Sequence, residues 1–267
     1  MLDLKQLTAD VCRIATEVGH FLKEERKNFR RERVVEKHAH DYVSYVDKES
    51  EVCVVKALTA LLPEAGFITE EGSAIYQDEP YCWVIDPLDG TTNYIHDEAP
   101  YCVCVALRSR TELLLGVVYE VCRDECFYAW KGGKAFMNGE EIHVSNVENI
   151  KDAFVITELP YNHLQYKQTA LHLIDQLYGV VGGIRMNGSA AAAICYVAIG
   201  RFDAWMEAFL GKWDYSAAAL IVQEAGGKVT NFYGEDHFIE GHHILATNGN
   251  LHPFFQKLLA EVPPLNM

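Results

Sequence analysis

A chain of 267 residues with 49% hydrophobic side chains can bury a large core, which excludes a disordered or peptide-like protein. Its formal net charge of −15 argues against nucleic acid as a partner, since that needs a basic face, and against attraction to anionic lipid. The N-terminal MLDLKQLTADVCRIATE is charged where a signal peptide needs its apolar segment, and no run of about 18 apolar residues occurs, so a soluble cytoplasmic protein is expected.

Leu4, Leu7, Val11, Ile14, Val18, Phe21 and Leu22 recur at helical spacing and predict a helix over 3–27; ESEVCVVKALTALL predicts a second over 49–62. Between them, RKNFRRERVVEKHAHDYVSY lacks periodicity and reads as a loop leading into a strand, in preference to a strand pair. Its basic residues at 28–40, amid so much acid, make it a candidate mobile lid. From 83 to 145 the pattern changes to short apolar strands, WVI, YCVCVAL, ELLLGVVYEV and ECFYAW, with a turn at Met137-Asn138-Gly139, which predicts an antiparallel sheet.

Beyond residue 150, strands and helices alternate: AFVIT, then the helical LQYKQTALHLIDQLYG, then VGGIRM and the helical SAAAAICYVAIG. FDAWME, the helical WDYSAAALIVQEAGG, HILATN and a closing helix in NLHPFFQKLLAEV complete the series. Residues 1–150 thus read as an α+β half and 151–267 as an α/β half, with no Pro/Ser-rich linker between them, so they are expected to act as one unit.

WVIDPLDGTTNY, residues 83–94, places carboxylates at a strand exit. Asp86 ends the apolar run, and Pro87 cannot donate a ladder hydrogen bond and is expected to turn the chain out of the sheet. The turn can gather the carboxylates of Asp86 and Asp89 with the Leu88 carbonyl, a hard oxygen set suited to Mg²⁺, Mn²⁺ or Ca²⁺. Gly90, Thr91 and Thr92 then read as a first helical turn whose free N–H groups suit an anion. A plain strand-to-helix junction capped by Asp89 fits these residues equally. Glu70-Glu71, after the strand-like Phe67-Ile68-Thr69, and Asp214, at a helix start where aspartate is an ordinary N-cap, add acid to the set. Asp47 reads in the same way as an N-cap for a helix beginning at Lys48.

Asp47 in SYVDKESE, FITEEG at 67–72, WVIDPLDGTTNY at 83–94 and WDYSAAALIVQEAGG at 213–227 together resemble the inositol monophosphatase family of Mg²⁺-dependent, lithium-sensitive phosphomonoesterases. The resemblance implies a sugar-phosphatase fold of mixed α+β and α/β character, a five-layered α-β-α-β-α sandwich. It also implies a homodimer that hydrolyses small phosphorylated polyols or sugars, with two to three Mg²⁺ ions and Mn²⁺ as a substitute. By position, Glu70, Asp86 and the Leu88 carbonyl would hold one metal, and Asp86, Asp89 and Asp214 a second. Thr91, paired with Asp47, would orient water and take its proton, with Glu70 assisting through a third ion. The amides of Gly90 and Thr91 would hold the phosphate; Gly188, Ser189 and Ala190 in RMNGSAAA would lie beside the substrate ring; Glu207 would accept its hydroxyls.

Glu207 favours a hydroxyl-rich monophosphate over a bisphosphate, so inositol 1-phosphate leads. Fructose 1,6-bisphosphate, 3′-phosphoadenosine 5′-phosphate and histidinol phosphate are the alternatives, and a weakly active regulatory member is the alternative of another class. The chain departs from the family pattern at His96-Asp97-Glu98-Ala99, at YEVCRDE, at Lys134 in KGGKAF, and at Pro160-Tyr161, where some members offer a serine; Ser44 stands where threonine is usual. Cys102 and Cys104 read as buried thiols with no second pair to complete a metal site, and His38, His40, His242 and His243 as surface histidines. Gly182-Gly183 lacks the third glycine of a dinucleotide fingerprint.

Overall fold

The structure is a computed structural model that describes residues 2–30, 32, 34–38, 41–160 and 163–262. Asp3 accepts the Gln6 N–H at 3.1 Å and starts helix α1 (Leu4–Lys27), whose Leu7, Val11, Ile14, Val18 and Leu22 form one buried stripe. A hairpin of β1 (Val35–His38) and β2 (Asp41–Val43) stands where a loop leading into a strand was expected: β2 is that strand, and the stretch before it pairs with it across Val35↔Val43. Residues 31, 33, 39 and 40 of the candidate lid lie outside the described residues.

Helix α2 (Tyr45–Leu61) begins ahead of the 49–62 pattern. Ser44 is its N-cap, and Asp47 is its third residue, whose carboxylate reaches back to the Ser44 N–H. This capping box corrects the reading of Asp47 as an N-cap.

Strands β3 (Ala65–Thr69) and β4 (Tyr81–Asp89) pair in parallel, and the short helix α3 (Thr91–His96) follows β4. Next come β5 (Cys102–Ser109), β6 (Leu113–Glu120), β7 (Glu125–Trp130), β8 (Ala135–Met137) and β9 (Glu140–Glu141), which pair antiparallel in chain order and complete a seven-stranded sheet. The β8–β9 turn has Asn138 at φ 50 and Gly139 at φ 91, the paired positive angles of a tight hairpin turn.

The second sheet is mixed. It takes β10 (Phe154–Thr157), β11 (Gly183–Arg185), β12 (Ala204–Ala208), β13 (Lys228–Thr230) and β14 (His243–Thr247) in the order β11-β10-β12-β14-β13. Only β10 pairs in parallel, with β11 and β12; β14 runs antiparallel to both neighbours. Helix α4 (Lys167–Leu177) follows β10, α5 (Ala190–Ala198) follows β11, α6 (Lys212–Glu224) follows β12, and α7 (His252–Ala260) closes the series.

The core sorts these elements into five layers. Trp83, Ile85, Val103, Val105 and Leu107 face α1 and α2, while the alternate residues Val84, Cys102, Cys104 and Ala106 face α5 and α6. The other face of α5 and α6 meets Ile156, Trp205, Ile244 and Ala246 of the second sheet, and α4 and α7 cover that sheet's far side through Leu173, Leu177, Phe255 and Leu258. The middle layer is thin because its helices are alanine-rich: a Cβ on Gly116 of β6 would lie 2.3 Å from the Ala217 carbonyl oxygen.

All eight cysteines are free, and Cys102 and Cys104 are buried. His243 corrects one expectation: it is 4% exposed, opposite Ala208 in the β12–β14 ladder, and its Nδ1 accepts the Phe232 N–H at 3.1 Å. His242 is exposed, as expected, with Nδ1 2.7 Å from the Leu210 carbonyl oxygen. No helix among the described residues is long and apolar enough to cross a membrane.

Candidate active site

Two chain segments bring three carboxylates to one point. Opposite β5, Asp86 pairs with Cys104 and Asp89 with Cys102, so one extra residue is accommodated between the two aspartates. Pro87 therefore does not turn the chain out of the sheet; it sits in a bulge and β4 rejoins the ladder at Asp89. The bulge matters because residues three apart on a regular strand face opposite ways, whereas here both aspartates reach the same site. Asp214 arrives from the first turn of α6, where it is the third residue and accepts the Gly211 N–H at 2.7 Å, so Gly211 and not Asp214 is the N-cap. Carboxylate oxygens of Asp86, Asp89 and Asp214 all lie within 4.8 Å of one another.

Asp89 does not cap the helix that follows it. Gly90 holds that position at φ 88, where a Cβ would lie 2.9 Å from the Pro100 carbonyl oxygen. The Asp89 carboxylate instead accepts from the start of α5: its Oδ2 takes the Ala191 N–H at 3.0 Å and the Ser189 hydroxyl. Asp86 Oδ1 accepts the Leu88 N–H at 2.9 Å, and the Leu88 carbonyl accepts the Thr91 hydroxyl at 3.0 Å. Thr91 is also 3.0 Å from Asp47 Oδ1, while the Ser44 N–H and hydroxyl both donate to Asp47 Oδ2 at 2.9 and 2.6 Å. Ser44 thereby saturates one carboxylate oxygen and leaves the other to Thr91.

Without a cation between them, these converging charges oppose stability. Burial drives the Asp86 pKa well above the usual carboxylate range, and Glu70, Asp89 and Asp214 push it further. Burial lifts Asp89 to about 6 against the opposing hydrogen bonds from Ser189 and the α5 amides. Glu207 is raised by burial and then by Glu158, Asp214 and Asp89. Burial also raises Asp47, outweighing its bonds to Ser44 and Thr91.

These groups border a cleft of about 960 Å³ with Glu70, Asp89, Gly90, Thr91, Gly188, Ser189, Ala190, Glu207 and Asp214 among its lining residues. Asp47, Asp86 and Leu88 are buried behind it. The departure at 96–99 contributes His96, Glu98 and Ala99 to the rim, and Asp97 turns away to an ion pair with Arg26 at 3.1 Å. Pro160 also lines the cleft, whereas Tyr161 lies outside the described residues.

Three polar residues were not anticipated. Glu51 of α2, fully buried, accepts the Glu71 and Ser73 N–H groups at 2.8 Å each and so positions the Glu70 loop. Glu158 accepts the Asn187 and Gly188 N–H groups at 2.8 and 3.3 Å, and Asn93 Nδ2 is 2.8 Å from the Pro100 carbonyl and 2.7 Å from that of Asn187. A signal for Glu158 exists in the chain: Ile156-Thr157-Glu158 repeats Ile68-Thr69-Glu70, and both strands end at the cleft. Burial carries Glu158 up to about 7. Glu51→Ala is expected to cost about 2–4 kcal/mol in urea unfolding, because two loop amides lose their charged partner.

Among the described residues the cleft lining carries no lysine or arginine. Two sheets and the helices between them thus hold three converging aspartates at a cleft, a cluster that could take a metal ion. A family model described as the inositol monophosphatase family matches residues 3–263, and the chain belongs to that metal-dependent family, which acts on phosphorylated sugars or polyols. It is 39% identical over 236 residues to a Nus factor SuhB of Pseudomonas aeruginosa, with 86% of each chain covered. It is 34% identical to an inositol monophosphatase of Dictyostelium discoideum, with 99% of each covered. The solved inositol monophosphatase from Anabaena superposes with a TM-score of 0.88 at 30% identity, covering 99% of both chains.

Proposed function

We propose that this protein is a Mg²⁺-dependent phosphomonoesterase acting on inositol 1-phosphate or a related sugar phosphate. The observation that carries this reading is the acid-rich cleft: six carboxylates, Glu70, Asp89, Glu98, Glu158, Glu207 and Asp214, line it with Asp86 buried behind them, and no lysine or arginine is among the described lining residues. A phosphate dianion cannot bind there unless cations intervene. The converging Asp86, Asp89 and Asp214 fit a hard divalent ion, and Glu70, which neighbours Asp86, and the Leu88 carbonyl would complete the groups that hold it. When bound, such ions supply positive charge against the phosphate and acidify water at the site.

The chain's own groups do the rest. Thr91 Oγ1 takes a proton from the attacking water and gives its own to Asp47 Oδ1, whose raised pKa makes it the better base. The water oxygen bonds to phosphorus as the ester bond breaks, and the alcohol oxygen leaves with the electron pair and is protonated from solvent. Gly90 and Thr91 at the start of α3 border the phosphate, and Gly188, Ser189, Ala190 and Glu207 border the alcohol. Thr91→Val is expected to lower kcat by about 10²–10⁴-fold, with Mg²⁺-dependent thermal stabilisation retained.

The deciding experiment is a panel of phosphomonoesters and bisphosphates assayed with Mg²⁺ and with EDTA. Inositol 1-phosphate should rank above fructose 1,6-bisphosphate; the reverse order would discard Glu207 as a hydroxyl acceptor. A homodimer is part of this proposal, checked by sedimentation. The 39%-identical relative named a Nus factor supports a second reading, a regulatory member. In that case partner binding would survive Asp89→Asn, which the phosphatase activity would not.

A further inference from the structure

Asp214 is the one member of the aspartate cluster that does not come from β4, so its distance from Asp86 and Asp89 depends on where the start of α6 is held. Like charges this close drive that end of the helix away from β4 whenever no cation lies between them. The segment 238–242 opposes that movement. The Tyr215 hydroxyl, on a fully buried residue, sits 2.8 Å from the Gly241 carbonyl oxygen and 3.1 Å from those of Phe238 and Ile239. The Leu210 N–H donates to the His242 carbonyl at 3.0 Å, and the His242 ring returns to the Leu210 carbonyl. Glu240 then ties the segment to two neighbours: one carboxylate oxygen pairs with Lys212, the first residue of α6, and the other lies 2.6 Å from Arg108 Nη1 on β5.

An exposed ion pair is ordinarily worth little, but Arg108 is not exposed. It continues the β5 face of Cys102, Cys104 and Ala106 that meets α6, and it is buried, with Nε and Nη2 3.2 and 3.3 Å from the carbonyl oxygens of Ser109 and Arg110. Those bonds fix the guanidinium and leave Nη1 to Glu240. Through Glu240 the first sheet, which carries Asp86 and Asp89, grips the helix that carries Asp214.

We propose that Arg108, Glu240 and Lys212 are positioning residues for the metal site: their bridge holds Asp214 at the distance from Asp86 and Asp89 that a divalent cation requires. This rests on the ligand role given to Asp214 above. Without the bridge the like-charged start of α6 moves outward, and a cation must pull it back on binding, which lowers affinity. Once the cation is in place the geometry is restored, so turnover at saturating metal is kept.

Mn²⁺ alone, titrated into the full chain without substrate and followed by the EPR signal of the free ion, gives the metal Kd; unfolded protein lowers the stoichiometry and leaves the Kd unchanged. Glu240→Ala and Lys212→Met should each raise that Kd about 10-fold, with kcat at saturating Mg²⁺ within about twofold of wild type. Lys212→Met carries the decision. It deletes a positive charge two residues from Asp214, so by charge alone the cation would bind more tightly, whereas loss of the bridge makes it bind more weakly. Wild-type or tighter Mn²⁺ binding in either variant, or a kcat that falls in step with the rise in Kd, overturns the positioning role and leaves the phosphomonoesterase reading standing. A wild type that binds no Mn²⁺ overturns both.

Discussion

Asp89→Asn is expected to fold normally and to lose at least ~10³-fold in kcat at saturating Mg²⁺. The geometry survives because an asparagine side-chain oxygen can still accept the Ser189 hydroxyl and the Ala191 N–H, the two bonds that tie the end of β4 to the start of α5. What disappears is one of three negative charges whose oxygens lie within 4.8 Å of each other, at the place where a hard cation needs anionic ligands. The change should therefore appear in turnover and in the Mg²⁺ concentration for half-maximal rate. Turnover equal to wild type at the same Mg²⁺ would remove Asp89 from the ligand set. In EDTA above about pH 6 the same variant should melt higher than the wild type, since one source of repulsion is gone.

Without divalent metal, the wild-type protein should become more stable as pH falls from 7 to 5. Asp86, Asp89 and Glu207 hold their protons more tightly folded than unfolded, Asp89 up to about 6. Between the unfolded carboxylate pKa near ~4 and the folded value, the native state binds more protons, so stability decreases with rising pH. Asp89 alone represents on the order of 3 kcal/mol over its whole titration, of which roughly 1.3 kcal/mol, about 2–4 °C in Tm for a chain of this size, is gained between pH 7 and 5. Mg²⁺ should reverse the slope, because a cation must displace those protons and binds better as pH rises. Differential scanning at pH 5, 6 and 7, with EDTA and with Mg²⁺, reads both slopes; a metal-free Tm that climbs with pH over this range would contradict the carboxylate repulsion.

Much of the scaffold was legible from local pattern. The stripe from Leu7 to Leu22 shows the period of α1, and ECFYAW coincides with β7. YCVCVAL has no alternation because β5 is buried on both faces, so its boundaries came from the flanking residues. The short β13 was not expected: three residues between glycines and a turn carry too little pattern. Of the β1–β2 hairpin only the second strand was expected, after a loop, because its pairing is between strands of four and three residues.

The site was half legible. Carboxylates at a strand exit and in a helix's first turn are visible in the chain, and the order of WVIDPLDGTTNY and WDYSAAAL carries the family resemblance. The bulge that turns Asp86 and Asp89 the same way is not visible, since it depends on pairing with β5. Glu51 carries no signal in the chain, and only the loop folding over it makes it a buried acceptor.

By itself the sequence determined the element types, the acid excess and the identity of the carboxylates, because periodicity, turn chemistry and charge are properties of neighbouring residues. Only the tertiary structure decided which carboxylates share a point and which oxygen of Asp47 faces Thr91. Those outcomes join residues 40 to 130 positions apart, and proximity at that range is created by sheet register and layer packing, which no local pattern encodes.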